Sequence, residues 1–227
     1  SNGTMNFKPI KIVLILVITI IILMGLLANL FGKKDKKQIS QSKHKEDWDF
    51  YFTNIENKPG SIFLDLGISK IAPIKSIDDI CWVSIEMLEP REDGFSSTNE
   101  SVKLGEIEVK LAEQMKETHS AIYVGRITSN GKRLLCFYLI DVNLLDKTIS
   151  DIMNTFPKYS FKHETRKDEK WSDYYKFLYP SPEEYQCIQN SRVIEILEKN
   201  GDNLIKERPV DHWIFFKTEN DRKAFWD

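Results

Sequence analysis

The chain has 227 residues, with 32 basic and 34 acidic side chains, and its formal net charge is −2. Eight basic residues and one acid lie in residues 1–45, so residues 46–227 hold 24 basic and 33 acidic side chains, a net charge of −9. Such an acidic part is poorly suited to a phosphate backbone, so no direct nucleic-acid binding is expected.

The first predicted element is a transmembrane helix over residues 12–31, after an N-terminal tail of residues 1–11. The run IVLILVITIIILMGLLANLF is unbroken and apolar, and about twenty such residues make a helix as long as a bilayer is thick. A cleaved signal peptide has a shorter apolar core, and a buried helix needs a surrounding domain. The run therefore predicts a membrane protein with a single span.

A basic linker, residues 32–46, follows this run and predicts its orientation. It begins with four lysines that would flank the membrane, Lys33, Lys34, Lys36 and Lys37. By the positive-inside rule, the side with more lysines stays in the cytoplasm. We therefore expect a protein of the cell inner membrane whose soluble domains are cytoplasmic. Three widely spaced cysteines are also typical of a reducing compartment.

Residues 47–166 are predicted to form an α+β domain. Two strand-like runs, residues 48–52 and 62–66, flank a turn that contains Pro59 and Gly60, which indicates a β-hairpin. From residue 80 the predicted order is strand, helix, strand, strand, helix, strand. This order is that of a ferredoxin-like split βαβ sheet, here with an N-terminal hairpin added. The predicted fold class is α+β, with one transmembrane helix before this sheet and a partial second α+β domain after it.

Local signals predict where several elements begin and turn. Ser97, with Glu100 three residues later, predicts a capping box that opens a helix, and Ser181 predicts another. Residues 102, 107, 111 and 115 are expected to share one face of the first helix. Asn130-Gly131 predicts a tight hairpin, because both residues tolerate a positive φ. Asp141 or Asn143 is expected to cap the second helix.

Residues 171–227 are predicted to form the partial second α+β domain. A helix that begins after Ser181 ends near Gly201, a strand follows at residues 210–216, and another helix starts after it. These elements do not close a core by themselves. We therefore expect either an excerpt of a longer reading frame or a segment that docks on the preceding domain.

Short motifs in the first domain resemble a known family. The sequences WDFY at 48–51, PREDG at 90–94 and YVGR at 123–126 resemble a bacterial domain family of unknown function, over about residues 47–165. The resemblance by itself implies no activity.

Motifs in the last segment resemble a second family. FLYPSPEE at 177–184, NGD at 200–202 and PVDHW at 209–213 resemble the front of the ribonuclease E inhibitor family, type B. That resemblance implies a small α+β regulator that binds the ribonuclease and alters RNA turnover without catalysing a reaction. It implies a protein partner, an endoribonuclease. Classical members of that family lack a membrane anchor, so this chain departs from the pattern, and we expect residues 12–31 to bring it together with such a ribonuclease at the membrane.

The candidate partner-binding residues are polar or aromatic side chains in predicted loops and at a predicted strand: Arg91, Asp93, Arg126, Asp211, His212 and Trp213. Loops are where binding residues concentrate, and Trp and Arg are common at interfaces. No catalytic residue, metal ligand or cofactor is expected, because the four histidines lack close ligand spacing and no glycine-rich phosphate loop is present.

Two other functions stay open. An immunity-type protein that neutralises a toxin would also be small, acidic and anchored. A hydrolase would need a polar pocket with hydrogen-bonded titratable groups. The sequence does not name the partner or the oligomeric state.

Overall fold

The computed structural model describes residues 44–205 and 214–226. Those from Lys45 onward belong to one compact unit. Its six strands are β1 Trp48–Ile55, β2 Lys58–Asp65, β3 Asp79–Glu86, β4 Ile122–Ser129, β5 Lys132–Leu139 and β6 Phe161–Lys167. Its α-helices are α1 Thr98–His119, α2 Leu145–Met153, α3 Pro182–Lys199 and α4 Glu219–Trp226.

The strands form one antiparallel sheet in the order β1-β2-β4-β5-β3-β6. The part from β3 to β6 has the chain order and the strand order of the split βαβ arrangement. The β1–β2 hairpin extends this sheet beyond β4. The sheet agrees with the α+β class.

The predicted fold class is wrong in including a transmembrane helix. No helix in residues 44–205 or 214–226 is long and apolar enough to cross a bilayer. The longest of them, α1, has 22 residues, but it carries charged side chains such as Lys103 and Glu106. The predicted span, residues 12–31, and its flanking lysines lie outside the described residues. The expectations of membrane association and of a single-pass inner-membrane protein are corrected accordingly.

Helices α1 and α2 cover one face of the sheet and form the main core with it. The buried side chains of this face alternate along β3 and β5, as expected when each strand turns every second residue inward. Leu104, Ile107, Leu111 and Met115 of α1 lie fully buried against them. Val102, which was predicted to share this face, is exposed, and Leu104 takes its place.

The other face is covered by the segment that was predicted to begin a second domain. A π-helical turn, Tyr174–Leu178, follows β6, and Trp171 and Tyr174 are fully buried. The Trp171 ring stacks on Tyr138 of β5 with ring centroids 3.9 Å apart, and its Nε1 donates to the carbonyl of Ile77 at 2.8 Å. Residues 171–178 therefore pack into the core of the same folded unit.

Most of the caps and turns predicted from short motifs are present in the structure, with two exceptions. Ser181 and Glu184 form both hydrogen bonds of a capping box, and Asn130 and Gly131 both have positive φ. At α1, Ser97 accepts from the Glu100 N–H, but the Glu100 carboxylate accepts instead from the N–H groups of Leu88 and Glu89.

The second exception is α2, which begins after Leu144 in a left-handed conformation and has no side-chain cap. The predicted strand at 210–216 lies partly outside the described residues, and residues 214–216 are not in a strand.

Candidate partner-binding surface

An aromatic surface lies on the helix side of the sheet, where β1 and β2 extend past α1. We define it as Trp48, Phe50, Phe52, Phe63 and Phe95. In the β1–β2 register Phe50 lies opposite Phe63, so the side chains of both strands share this face. Phe50 is 52% exposed and Phe52 is 67% exposed. Exposed aromatic side chains that touch one another are typical of protein interaction sites.

The inner part of the aromatic surface is built from stacked rings. Trp48 stacks on Phe63 with centroids 4.9 Å apart and on Tyr123 with centroids 5.5 Å apart. The Arg126 guanidinium lies over the Phe63 ring, with its Cζ 4.4 Å from the ring centroid. Arg126 was predicted as a partner-binding residue, and the structure places it at the edge of this surface.

A second set of contacts explains why Arg126 is fixed. Glu108 of α1 is buried and accepts hydrogen bonds from Tyr123 Oη at 2.8 Å, Arg126 at 2.5 Å and Arg133 at 3.4 Å. Burial, and then the Glu108 charge, raise the pKa of Tyr123 well above its usual value. Burial, and then the charge of Arg126, lower the pKa of Arg133. One carboxylate therefore balances two arginines at this site.

The loop between β3 and α1 carries two other predicted residues, Arg91 and Asp93, which form an ion pair with each other. Gly94 has a φ of +82°, and a side chain there would come within 2.9 Å of the Asn130 backbone nitrogen. The loop thus packs closely on the β4–β5 turn, and it places Phe95 against Phe52 with ring centroids 6.0 Å apart.

Helix α3 attaches to the opposite face of the sheet, above β1. Arg192 donates to Asp49 at 2.6 Å and to Asp47 at 2.9 Å, and Ile188 is buried. The C-terminal half of α3 is different, because Val193 and Ile196 are 57% and 58% exposed. Apolar residues that point into solvent on a well-anchored helix form a second candidate surface.

The predicted residues Asp211, His212 and Trp213 lie outside the described residues. The sequence reasoning missed Phe50 and Phe52 as surface residues, although their alternation with Asp49 and Tyr51 indicated a shared face. It did not reveal which face remained open.

The described residues show no group of three or more His, Cys, Asp or Glu side chains that could hold a metal. Burial raises the pKa of Cys81 to about 11 and the pKa of Cys136 well above its usual value. Both thiols are therefore held in the protonated form at neutral pH, which is unsuited to nucleophilic attack.

Two protein-family models match parts of the chain. Residues 46–179 match a family of unknown function (DUF695). The chain belongs to this family. Gly94 and Gly125 lie within the matched residues, and a side chain at either position would meet backbone atoms. Residues 187–227 match a second family, regulator of ribonuclease activity B. The predicted order of the two families is confirmed. Comparison with curated proteins and with solved structures found no match.

Proposed function

We propose that this protein is a non-enzymatic regulator that binds a protein partner, and that the partner is an endoribonuclease. The observation that carries the proposal is the match of residues 187–227 to regulator of ribonuclease activity B. A regulator of this kind acts by contact, so it needs an accessible surface on the matched segment.

The C-terminal half of α3 supplies such a surface. Val193, Ile194 and Ile196 lie in the matched segment and are exposed, while Arg192 ties the same helix to β1. A helix that is held in place while its apolar side chains face solvent loses little conformational freedom on binding. Asp211, His212 and Trp213 follow in the same matched segment, and they remain proposed contacts, as do Arg91, Asp93 and Arg126.

The test uses the full chain and purified ribonuclease E. Binding is measured by calorimetry, and regulation is measured as the rate at which the enzyme cleaves a labelled RNA. We expect saturable binding and a change in cleavage rate that titrates with the bound fraction. No binding, together with an unchanged cleavage rate, would contradict the proposal.

A matched pair of variants locates the surface. Ile196→Lys puts a charge into the proposed contact, and we expect it to weaken binding by at least about tenfold, since a buried anchor commonly contributes more than 1.4 kcal/mol. Val109→Lys is the control, because Val109 is 56% exposed on α1, away from α3. Equal effects of the two variants would refute the assignment of the surface to α3.

A further inference from the structure

β1 is an edge strand with an open side. It pairs with β2 on one side, and no other strand of the described chain pairs with it. An exposed strand edge presents unpaired N–H and C=O groups that can add another strand. The backbone groups and side chains of β1 decide which kind of strand can pair with this edge.

Two hydrogen bonds fix the direction of the backbone groups of β1. The Asp47 carbonyl accepts from the Leu66 N–H at 2.8 Å, so it points toward the β2 side. The Phe50 N–H instead donates to the Asp49 side chain at 2.8 Å. Because backbone groups alternate along an antiparallel strand, the N–H and C=O groups of Phe50 and Phe52 point out of the sheet. The Asp49 carboxylate satisfies one of these donors when no further strand is present.

The two edges of the sheet differ in their protection. β6, at the other edge, carries exposed charged side chains, Lys162, Glu164 and Arg166, which discourage strand addition. β1 has exposed Phe50 and Phe52 at its edge instead. Aromatic side chains favour cross-strand pairing. β1 is therefore the edge suited to pairing.

We propose that two copies of this protein pair antiparallel through β1, with Phe50 of each copy at the twofold axis. In this register Phe50 lies opposite Phe50 of the second copy, and Trp48 lies opposite Phe52 of the second copy. Each aromatic side chain on this face of β1 then meets another aromatic side chain. The pairing joins the aromatic surfaces of the two copies into one. This self-association goes beyond the proposed function and does not depend on it.

Charges at the strand ends select this register and this occupant. Lys45 precedes β1 and Glu56 directly follows it, and both charged residues are exposed. In this register the start of β1 lies beside the end of β1 of the second copy, so these opposite charges come near each other. The twofold axis repeats this opposite-charge contact. A shift by two residues toward the turn would instead bring Glu46, just before β1, near Glu56 of the second copy. Like charges directly opposite each other are unfavourable.

The first test is the mass of the full chain in solution, by sedimentation equilibrium across a concentration series that reaches about 100 µM. We expect a species of twice 26.6 kDa. Phe50→Lys sets two lysines against each other at the axis and is expected to raise the dissociation constant at least tenfold. Val109→Lys, on the outer side of α1, is expected to leave it unchanged. A monomer throughout the series, or a dimer unaffected by Phe50→Lys, would overturn the proposal.

A cross-linking test checks the register and does not depend on a disruptive variant. Hydrogen-bonded residues opposite each other have Cα atoms about 5.5 Å apart, which suits a disulfide. Phe50→Cys, in a Cys187→Ser background that removes the exposed native thiol, is therefore expected to form a covalent dimer under mild oxidation. Phe52→Cys is the control, because each copy of it lies four residues, roughly 13 Å, from its symmetry mate. Cross-linking by Phe52→Cys and not by Phe50→Cys would refute this register.

Discussion

Replacing Glu108 by Gln tests whether its carboxylate neutralises the two arginines of β4 and β5, Arg126 and Arg133. The change keeps the shape of the side chain and removes its charge, so Arg126 and Arg133 lose their shared carboxylate. Arg133 has an exposed side-chain fraction of 7% and Arg126 of 27%. Removing one partner of a buried ion pair costs about 3–5 kcal/mol. Because Arg126 is partly solvated, we expect the lower end of that range, about 3 kcal/mol.

The assay is urea unfolding at pH 7, with the free energy of unfolding taken from the midpoint and slope. Glu106→Gln is the matched control, two residues away on the same helix. Its ion pair with Lys103 has side chains that are 48% and 59% exposed, so its removal is expected to cost at most about 0.5 kcal/mol.

A double variant checks the electrostatic cause. Arg133→Met removes the more buried of the two cations, so Glu108→Gln combined with Arg133→Met is expected to lose less stability than the sum of the single variants. A loss below about 1 kcal/mol for Glu108→Gln, or an equal loss for Glu106→Gln, would refute the reasoning.

Four further substitutions probe other contacts. Trp171→Ala is expected to lower the free energy of unfolding by about 3–5 kcal/mol, because it empties a fully buried site; a small loss by urea unfolding would mean that this segment does not close the sheet. Gly125→Ala is expected to destabilise by at least about 2 kcal/mol, since a Cβ there would lie 2.5 Å from the Phe63 carbonyl oxygen at a φ of +153°. Gly105→Ala, where nothing lies within 4 Å, should stabilise by roughly 0.5–1 kcal/mol, and equal signs for the two glycines would contradict this. For Asp168, burial raises the carboxyl pKa, but hydrogen bonds from the N–H groups of residues 173 and 172 and from a tyrosine hydroxyl outweigh it and lower the pKa. The Asp168 carboxylate therefore contributes stability above its usual pKa of 3.8, and this contribution is lost as the pH falls through the lowered pKa. Asp168→Asn should make the free energy of unfolding depend less steeply on pH on the acid side. An unchanged slope would refute this.

Two signals confined to a few neighbouring residues were read correctly from the sequence. Asn130-Gly131 has the backbone conformation that a tight hairpin needs, and Ser181 and Glu184 satisfy each other at the start of α3. These outcomes follow from local backbone chemistry, which the surrounding fold did not change.

Signals that depend on tertiary contacts were less reliable. Glu100 was expected to accept a hydrogen bond from the backbone N–H of Ser97. The N–H groups of Leu88 and Glu89, just after β3, donate to that carboxylate instead. Phe50 and Phe52 could be placed on one face by their alternation, but only the extent of α1 decides that this face is open. The partner-binding role of Arg91 remains a prediction.

The contact of Arg192 with Asp47 and Asp49 affects how the chain can be divided for experiments. A fragment that ended at Tyr179, where the first family match ends, would leave the two aspartates beside each other without their cation. It would also remove the buried side chain of Ile188. The two family matches therefore do not mark separable folded units, because side-chain contacts join the strand near the start of the first match to the helix in which the second match begins.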